Sequence, residues 1–242
     1  MKLKIMSFNV QHCLNYRTRK IDYDIMIDAI KQCQAEIIGI NEMYNFSPLE
    51  DSSLSEIEEL ATRLGYHYYF ARAIEIAPGK PYGNAILSKY PILSAQTIAI
   101  PNPEIPLPNH KFSYEPRCVL KVTLDVGTNL TVLVSHFGLN PDEQTFAVHT
   151  VLEQIAKERC VLMGDFNITP DNELLVPIRT KLQDAAALFT EPLLSYPSDN
   201  PDRKIDYIFA SPDIQLLEAD IPAIIASDHR PHTAVIEIKT TM

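Results

Sequence analysis

Short apolar runs alternate with amphipathic stretches along most of the chain. The runs at 37–40 and 160–163 are rich in branched apolar residues and are typical of buried strands. In 21–33 and 54–64, apolar residues instead recur at the spacing of a helix. The pattern predicts helices over 21–33, 54–64, 147–156 and 173–188, and strands over 3–10, 37–40, 67–71, 82–88, 92–100, 118–124, 129–135, 160–163, 205–210, 214–219 and 233–238.

Terminal signals mark the helix over 54–64. Ser53 and Glu56 stand three residues apart before an apolar stripe, which matches a capping box. Gly65 suits the end of the helix, because glycine readily adopts the left-handed conformation of a C-cap. We therefore expect this helix to open at the box formed by Ser53 and Glu56.

Polar side chains follow several of the predicted strands. The strand over 160–163 stops at Gly164, a residue that lets the backbone turn or approach a ligand closely. If the strand continued, alternation would place Asp165 and Asn167 on one face and Phe166 on the other. Capping of the turn is the simpler role for both polar residues. Similar polar residues end other strands, which favours a shared site at the strand ends; they are Asn9, Glu42, His136, Asp206, Asp228 and His229.

Composition adds limits on the class of protein. A chain of 242 residues that is 46% hydrophobic suits one large domain over 1–242. No run approaches about 18 consecutive apolar residues, so we expect no membrane span. The N-terminus has no apolar signal region, and the four cysteines show no CxxC spacing, so neither a disulfide framework nor a zinc site is expected. Cys33 and Cys160 are interpreted as core residues, and a reducing cytoplasmic location fits the sequence.

Charge bears on the kind of partner. The formal net charge is −10, and the longest basic cluster is the short run at 17–20. Proteins that bind long nucleic acids usually carry a basic face, because phosphate contacts supply most of the non-specific affinity. The charge therefore favours a small or medium-sized phosphoester over extended DNA or RNA.

Acids, amides and histidines at strand ends suggest metal-assisted chemistry. Hard divalent cations such as Mg²⁺ prefer carboxylate and amide oxygens, and nearby histidines can stabilise a phosphoryl group. The sequence contains neither a GxxxxGK[ST] phosphate loop nor a GxSxG nucleophile motif. We therefore predict metal-assisted hydrolysis of a phosphoester, with Mg²⁺ as the metal and Mn²⁺ as the alternative.

The polar strand ends also resemble a known family. In their order along the chain, they are similar to the motifs of the endonuclease/exonuclease/phosphatase superfamily. This resemblance implies a four-layer α/β/β/α sandwich with two packed mixed sheets, whose strand ends converge on one cleft. The matching segments are 8–9, Glu42, 83–88, 135–136, 164–167, 205–208 and 227–229.

The resemblance implies roles for individual residues. Glu42 is the expected principal magnesium ligand, with Asn9 and Asp228 completing the metal set. Asp165 is expected to act on the attacking water and Asn167 to help position it. His136 and His229 are expected to contact phosphoryl oxygens, and Asp206 to orient His229. The predicted substrate-binding residues are Arg117, Asn84, Lys111 and Tyr114.

The sequence departs from the family pattern at three places. Asn41 stands where glutamine commonly precedes the metal-binding glutamate, a change expected to have little effect. Asp142 and the two residues after it occupy the start of a helix that usually carries an arginine there. His136 argues against the abasic-site endonuclease branch and fits the deoxyribonuclease, sphingomyelinase and 5-phosphatase branches.

A loop over 101–116 contains five prolines. It is too long and too rich in proline for a plain hairpin, which predicts a loop that faces the substrate. His110, Lys111 and Tyr114 are its candidates for meeting an anion or presenting a ring. The alternative is a surface loop that only joins two strands.

Two other functions compete with small-molecule hydrolysis. One is a magnesium-dependent nuclease with the same chemistry, and the other is a binding module that has kept the fold but lost catalysis. We expect the protein to be a monomer. Individually, Asp206 and Asp228 could cap turns, and His136 and His229 could be core histidines. Their joint occurrence in family order favours the catalytic role.

Overall fold

Two six-stranded sheets form the framework of the protein. The computed structural model describes residues 1–49, 53–104 and 111–239. In order across the first sheet lie β11 (Gln215–Asp220), β12 (His232–Glu237), β1 (Lys2–Asn9), β2 (Ile37–Tyr44), β4 (Pro81–Ser88) and β3 (His67–Glu75). The second sheet contains, in order, β5 (Ile92–Ile100), β6 (Arg117–Asp125), β7 (Asn129–Ser135), β8 (Cys160–Asp165), β10 (Asp206–Ala210) and β9 (Gln183–Asp184).

Helices cover the outer face of each sheet. Helices α1 (Tyr23–Cys33) and α2 (Glu56–Leu64) pack on the first sheet, and α3 (Pro141–Gln154) and α4 (Val176–Lys181) pack on the second. A third apolar cluster lies between the two sheets. Three separate cores divide the molecule into four layers, so the predicted α/β/β/α sandwich with two mixed sheets is confirmed.

Parallel pairing at the centre of each sheet brings the strand ends together. β1 is parallel to β2, and β7 is parallel to β8. Helix α1 connects the first pair and α3 the second, as a parallel connection requires. β10 and β12 run antiparallel to their neighbours, so each starts at this same edge; Asp206 pairs with Asp165, and His232 pairs with Ser7. The predicted convergence of strand ends follows from this topology.

The predicted helix over 173–188 is wrong. The structure has two short 3₁₀ turns there, Glu173–Leu175 and Ala185–Leu188, separated by α4 and β9. Leu182 is extended, and the Asp184 side chain accepts a hydrogen bond from the Ala186 amide. Because β9 pairs with β10, tertiary contacts override the helical spacing of the sequence.

The predicted capping box lies two residues too early. Helix α2 begins at Glu56, and the amide of Ser55 donates to the Glu58 carboxylate over 2.8 Å. Glu56 does not reach back to Ser53, because its side chain is fully buried and accepts from the Tyr44 amide. Because the Glu56 carboxyl group faces inward, the capping box forms between Ser55 and Glu58 and not between Ser53 and Glu56.

All four cysteines are buried and unpaired. Cys33 ends α1 and is buried on the face of that helix that packs on the first sheet, and Cys160 packs beneath α3, which confirms their interpretation as core residues. Among the described residues, no helix combines the length and apolarity needed to cross a bilayer.

Glu56 makes the stability of the protein depend on pH. Burial raises the pKa of its carboxyl group from 4.5 to about 8. The folded state therefore holds a proton that the unfolded state releases, and stability falls as pH rises from 4.5 towards 8. We predict that the unfolding free energy of Glu56→Gln, taken relative to that of the wild type, rises by about 1–3 kcal/mol from pH 5.5 to pH 8. Urea unfolding at the two pH values measures this change.

Glu58→Gln is the matched control on the same helix. Hydrogen bonds from Ser55 lower the pKa of Glu58, so this carboxylate is charged at both pH values. Its substitution should change stability equally at pH 5.5 and pH 8. The prediction would be contradicted if Glu56→Gln changed the unfolding free energy equally at pH 5.5 and pH 8.

Candidate active site

A cleft of about 430 Å³ opens at the edge where the strand ends converge. Seven of the twelve predicted site residues line it, and Asn9 and Asp206 stand fully buried directly behind. The described residues on its wall are Glu42, Phe112, Arg117, His136, Leu139, Asp165, Asn167, Thr169, Tyr196, Arg203, Ile205, Asp228 and His229.

Asp165 lies at the centre of the polar contacts. Its Oδ2 is 3.1 Å from Nδ2 of Asn9 and 3.5 Å from Nε2 of both His136 and His229. Its Oδ1 accepts from the Asn167 amide over 3.0 Å. The carboxyl group therefore joins the two histidines and the end of the first sheet.

Gly164 has a different role from the predicted one. β8 continues through Gly164 to Asp165, so the strand does not stop at the glycine. A Cβ atom at Gly164 would lie 1.8 Å from the Ser135 carbonyl oxygen, and its φ is +147°. Glycine is required here because the backbone of β7 passes so close, rather than for a turn or a ligand.

Asn167 reaches the cleft by leaving the strand. β8 ends at Asp165, and Asn167 adopts a left-handed conformation with φ of 51°. Its Nδ2 donates to the Phe137 carbonyl oxygen over 3.1 Å. Phe166, between the two polar residues, turns into the core and stacks on Phe137. A turn, rather than strand alternation, puts Asp165 and Asn167 side by side.

Arg117 fixes the tautomer of His136. Nη1 of Arg117 lies 2.9 Å from Nδ1 of His136. Guanidinium nitrogens only donate hydrogen bonds, so Nδ1 accepts and the proton of the neutral ring is on Nε2. Burial lowers the pKa of His136 well below its usual range, and the charges of Arg117 and His229 lower it further. His136 therefore presents a neutral N–H to the cleft.

Two hydrogen-bond donors converge next to Asp165. Nε2 of His136 and Nδ2 of Asn167 are 3.2 Å apart. The first carries the ring proton, and the second is identified as the amide nitrogen by its bond to the Phe137 carbonyl. Two donors do not satisfy each other, so the pair suits an acceptor that bridges them, such as a phosphoryl oxygen.

His229 is held between two buried carboxylates. Its Nδ1 is 2.8 Å from Oδ2 of Asp206, and its Nε2 faces Asp165. Burial opposes the charge on the ring, but Asp206 and Asp165 outweigh it and raise the pKa of His229 to about 10. Burial also raises the pKa of Asp165 to about 7, although the His229 charge works against that rise. We assign the shared proton to His229, which has carboxylates on both sides.

A β-bulge directs Glu42 into the cleft. Between Ile40 and Met43 the register of β2 against β4 shifts, so that Asn41 and Glu42 together oppose Asn84. Glu42 has φ of 57°, and its Oε1 accepts from Nδ2 of Asn9 over 3.1 Å. Without the bulge, strand alternation would turn the side chains of Asn41 and Glu42 to opposite faces of the sheet.

Glu42 and Asp228 form an acidic pair that fits a hard divalent cation. Burial raises the pKa of Asp228, and the charge of Glu42 raises it further, against the effect of His229. Among the described residues, neither acid pairs with a lysine or an arginine. Within the described part of the chain, the ion-pair contact of Glu42 is with the His12 ring, at 4.0 Å, and burial lowers the pKa of that ring. Carboxylate oxygens without a fixed cation are the ligands that Mg²⁺ prefers.

Asn9 meets Glu42 through its amide nitrogen, and its place in the predicted metal set stays a prediction. Its Nδ2 donates to Glu42 and Asp165, and its Oδ1 accepts from the Gln11 amide. Asn9 therefore bridges two acids. A second group, Asp165, Asp206 and His229, has ligand atoms within 4.8 Å of one another. There both ring nitrogens of His229 already face carboxylates, so a shared proton accounts for the cluster.

Sequence reasoning missed the turn that follows β1. Gln11, His12 and Cys13 are consecutive left-handed residues, with φ of 45°, 48° and 56°. Nε2 of Gln11 donates to Asp228 over 2.9 Å, and the amide of His12 donates to the Glu42 carbonyl oxygen. The sequence did offer one signal for this turn, because the polar residues Gln11 and His12 follow closely after Asn9. Tyr196, Phe112 and Leu139 carried no such signal, because they are in loops without a motif.

Several predicted substrate contacts need correction. Asn84 is 2% exposed and bonds to Asn41 and to the Cys118 carbonyl oxygen, so it supports the site from behind. The hydroxyl of Tyr114 bonds to Asp142 at the start of α3. Lys111 is exposed and is not on the wall of the cleft, and His110 lies outside the described residues. Phe112 is the described residue by which this loop meets the cleft.

Arg117 lines the cleft as predicted, but Nη1 of its guanidinium is already engaged. Nη1 contacts His136 and also lies 2.9 Å from the Glu115 carboxylate. Its visible effect is to hold the His136 ring in the donor form. A direct bond from Arg117 to phosphate remains a prediction.

Asn41 links the two sheets behind the cleft. Its Oδ1 accepts from the Asp165 amide, and its Nδ2 donates to Asn84, each over 2.8 Å. Asn41→Leu would leave both partners unsatisfied and buried. We predict a loss of about 2–4 kcal/mol in unfolding free energy and at least a tenfold loss of kcat.

Asn45→Leu is the control, because Asn45 is exposed one residue beyond β2. Asn41→Gln keeps both polar groups and should lose less than Asn41→Leu. Wild-type stability and turnover in folded Asn41→Leu would remove this residue from the support of Asp165.

Comparison with known proteins places the chain in a family. A structure described as an endonuclease/exonuclease/phosphatase from Beutenbergia cavernae superposes with a TM-score of 0.76 at 21% identity, covering 98% of this chain and 72% of that one. A mannosyl-6-phosphatase from Bacteroides thetaiotaomicron gives 0.77 at 14% identity, covering 98% and 100%. The 2′,3′-cyclic phosphatase ANGEL2, solved with adenosine-2′,3′-vanadate, gives 0.71 at 18%, covering 98% and 95%. No match was found among curated protein sequences. The family model matches residues 6–229, and the chain belongs to the Endonuclease/Exonuclease/phosphatase family.

Proposed function

We propose that the protein is a magnesium-dependent hydrolase of small or medium-sized phosphoesters. The observation that carries the proposal is the pair of converging donors, His136 and Asn167, beside Asp165. These donors suit a phosphoryl oxygen, and the Glu42–Asp228 pair lies in the same cleft. Members of this family hydrolyse phosphoesters, which supports the same reaction type here.

Each residue has a chemical task in this reaction. His136 and Asn167 donate to a phosphoryl oxygen, where negative charge accumulates in the transition state. Asp165 orients the attacking water and accepts its proton. His229, held by Asp206, faces Asp165 and donates to the charged phosphoryl group. Mg²⁺ or Mn²⁺ held by Glu42 and Asp228 would supply further charge neutralisation at that group.

The charge around the cleft favours a small substrate over a nucleic acid. Among its described wall residues, Arg117 and Arg203 carry permanent positive charge, and each is paired with a neighbouring acid, Glu115 and Asp202. A long polyanion would meet a chain of net charge −10 with few free cations. The similar structure named as a mannosyl-6-phosphatase, whose name indicates a sugar phosphate, supports this choice.

A nuclease of the same chemistry is the competing function. Its affinity should fall steeply with salt, because each phosphate contact releases a counterion. Hydrolysis of a small phosphoester should change much less over the same range. A panel of phosphoesters and oligonucleotides, assayed with magnesium and then with a chelator, separates the two functions and the inactive binding module.

Glu42→Gln tests the metal site. The substitution keeps the shape of the side chain and removes one charge from the acidic pair. We predict that magnesium affinity, measured by calorimetry, falls at least about tenfold and that divalent-dependent hydrolysis is lost. Glu153→Gln, which removes a charge from the exposed face of α3, should leave both unchanged. Wild-type magnesium binding in folded Glu42→Gln would exclude Glu42 from the metal site.

Asp165 and Asp206 should differ in their effect on turnover. Asp165 faces the attacking water, whereas Asp206 acts only through the His229 ring. We predict that Asp165→Asn lowers kcat by about a thousandfold or more, and Asp206→Asn by roughly ten- to a hundredfold. Thermal melting of both variants controls for folding. Equal losses of kcat in two folded variants would overturn this ranking.

A further inference from the structure

Two large apolar side chains stand exposed on the wall of an otherwise polar cleft. Phe112 is 50% exposed and Leu139 is 47% exposed, and both line the cavity that contains His136 and Asp165. The polar chemistry of the proposed reaction uses neither side chain. Exposed apolar surface within a binding cleft marks a place where a ligand covers it.

A buried side chain holds this surface in position. Asn140 is 1% exposed, and its Oδ1 accepts from the backbone amides of Lys111 and Phe112. Its Nδ2 donates to the Phe112 carbonyl oxygen over 3.0 Å. Asn140 directly follows Leu139 and also caps α3, so a single residue ties Phe112 and Leu139 to a rigid helix. Fixing an exposed phenylalanine in this way lowers the ordering cost of binding.

We propose that Phe112 and Leu139 form an apolar shelf that binds the hydrocarbon part of the substrate, so the substrate class is alkyl or aryl phosphoesters. The inference rests on the proposed function only for the position of the phosphoryl group beside His136 and Asn167. A cavity of about 430 Å³ holds a phosphoryl group together with a medium-sized organic group. Strongly hydrated groups such as polyols would leave the shelf uncovered or lose hydration against it.

Binding of alkyl phosphonates to the magnesium-loaded protein tests the shelf directly. These probes are not hydrolysed, so the result does not depend on turnover. On a half-open shelf we expect affinity to rise about twofold per methylene from methyl to hexyl phosphonate, or roughly thirtyfold in total, measured by calorimetry. A chain of equal length with ether oxygens in place of two methylenes should bind about fourfold more weakly than hexyl phosphonate.

Phe112→Ser and Leu139→Ser should each flatten the dependence on chain length while affinity for methyl phosphonate stays within about twofold. Phe146→Ser is the matched control, because Phe146 is also an exposed phenylalanine, 39% exposed on α3, but it does not line the cleft. This variant should keep the wild-type dependence. Thermal melting verifies that all three variants are folded.

The outcomes separate the shelf from the proposed function. Affinity that does not depend on chain length, absence of binding by all the phosphonates, or an unchanged dependence in both Phe112→Ser and Leu139→Ser would overturn the shelf, whatever the hydrolysis panel shows. A chain-length dependence that both substitutions flatten supports the shelf, even if the panel finds no hydrolysis. In that case the proposed function fails and the binding site stands.

Discussion

The hydrogen bond from the Asp165 amide to Asn41 is the contact on which the cleft depends. It joins two sheets that meet mainly through apolar side chains, and its length of 2.8 Å requires their close approach. Gly39 permits that approach, because a Cβ atom there would lie 2.5 Å from the sulfur of Met163 on β8. Asn9 adds a second link, from the first sheet to the Asp165 carboxylate. Glu42 and His229, at the edge of the first sheet, can therefore act together with His136 and Asp165, at the edge of the second.

This arrangement is maintained against local strain. Of the eight non-glycine residues with positive φ in the described part of the chain, Glu42 and Asn167 line the cleft. Three more form the turn after β1, which contacts Asp228 and Glu42. Each left-handed residue costs about 1 kcal/mol or somewhat more, so the segments would relax if their contacts were lost. Backbone contacts hold them, including the bond from the His12 amide to the Glu42 carbonyl oxygen. The strain is concentrated where side chains must point away from the direction that a regular strand would give.

The regular part of the fold could be predicted from sequence, and the irregular part could not. The strands over 92–100 and 129–135 agree to the residue with β5 and β7, because apolar periodicity reports a half-buried surface directly. Periodicity failed over 173–188, where pairing between β9 and β10 overrides it. Catalytic candidates could be found because strand ends share one edge. The bulge at Glu42 and the shelf at Phe112 depend on contacts between distant segments, which no local pattern encodes.

The acidic character of the chain is compatible with the proposed anionic substrate for a physical reason. Charges more than about 10 Å apart are largely screened at ordinary ionic strength, so a small phosphoester interacts mainly with the groups inside the cleft. In the proposed function it would meet the donors of His136, Asn167 and His229 on one side and the acidic pair proposed to bind the cation on the other. A polymer would also extend over the outer surface, where acidic residues outnumber basic ones, 31 to 21 in the whole chain. On the proposed function, the net charge thus disfavours long polyanions without weakening the site for small ones, and the proposed apolar shelf would distinguish among the small phosphoesters.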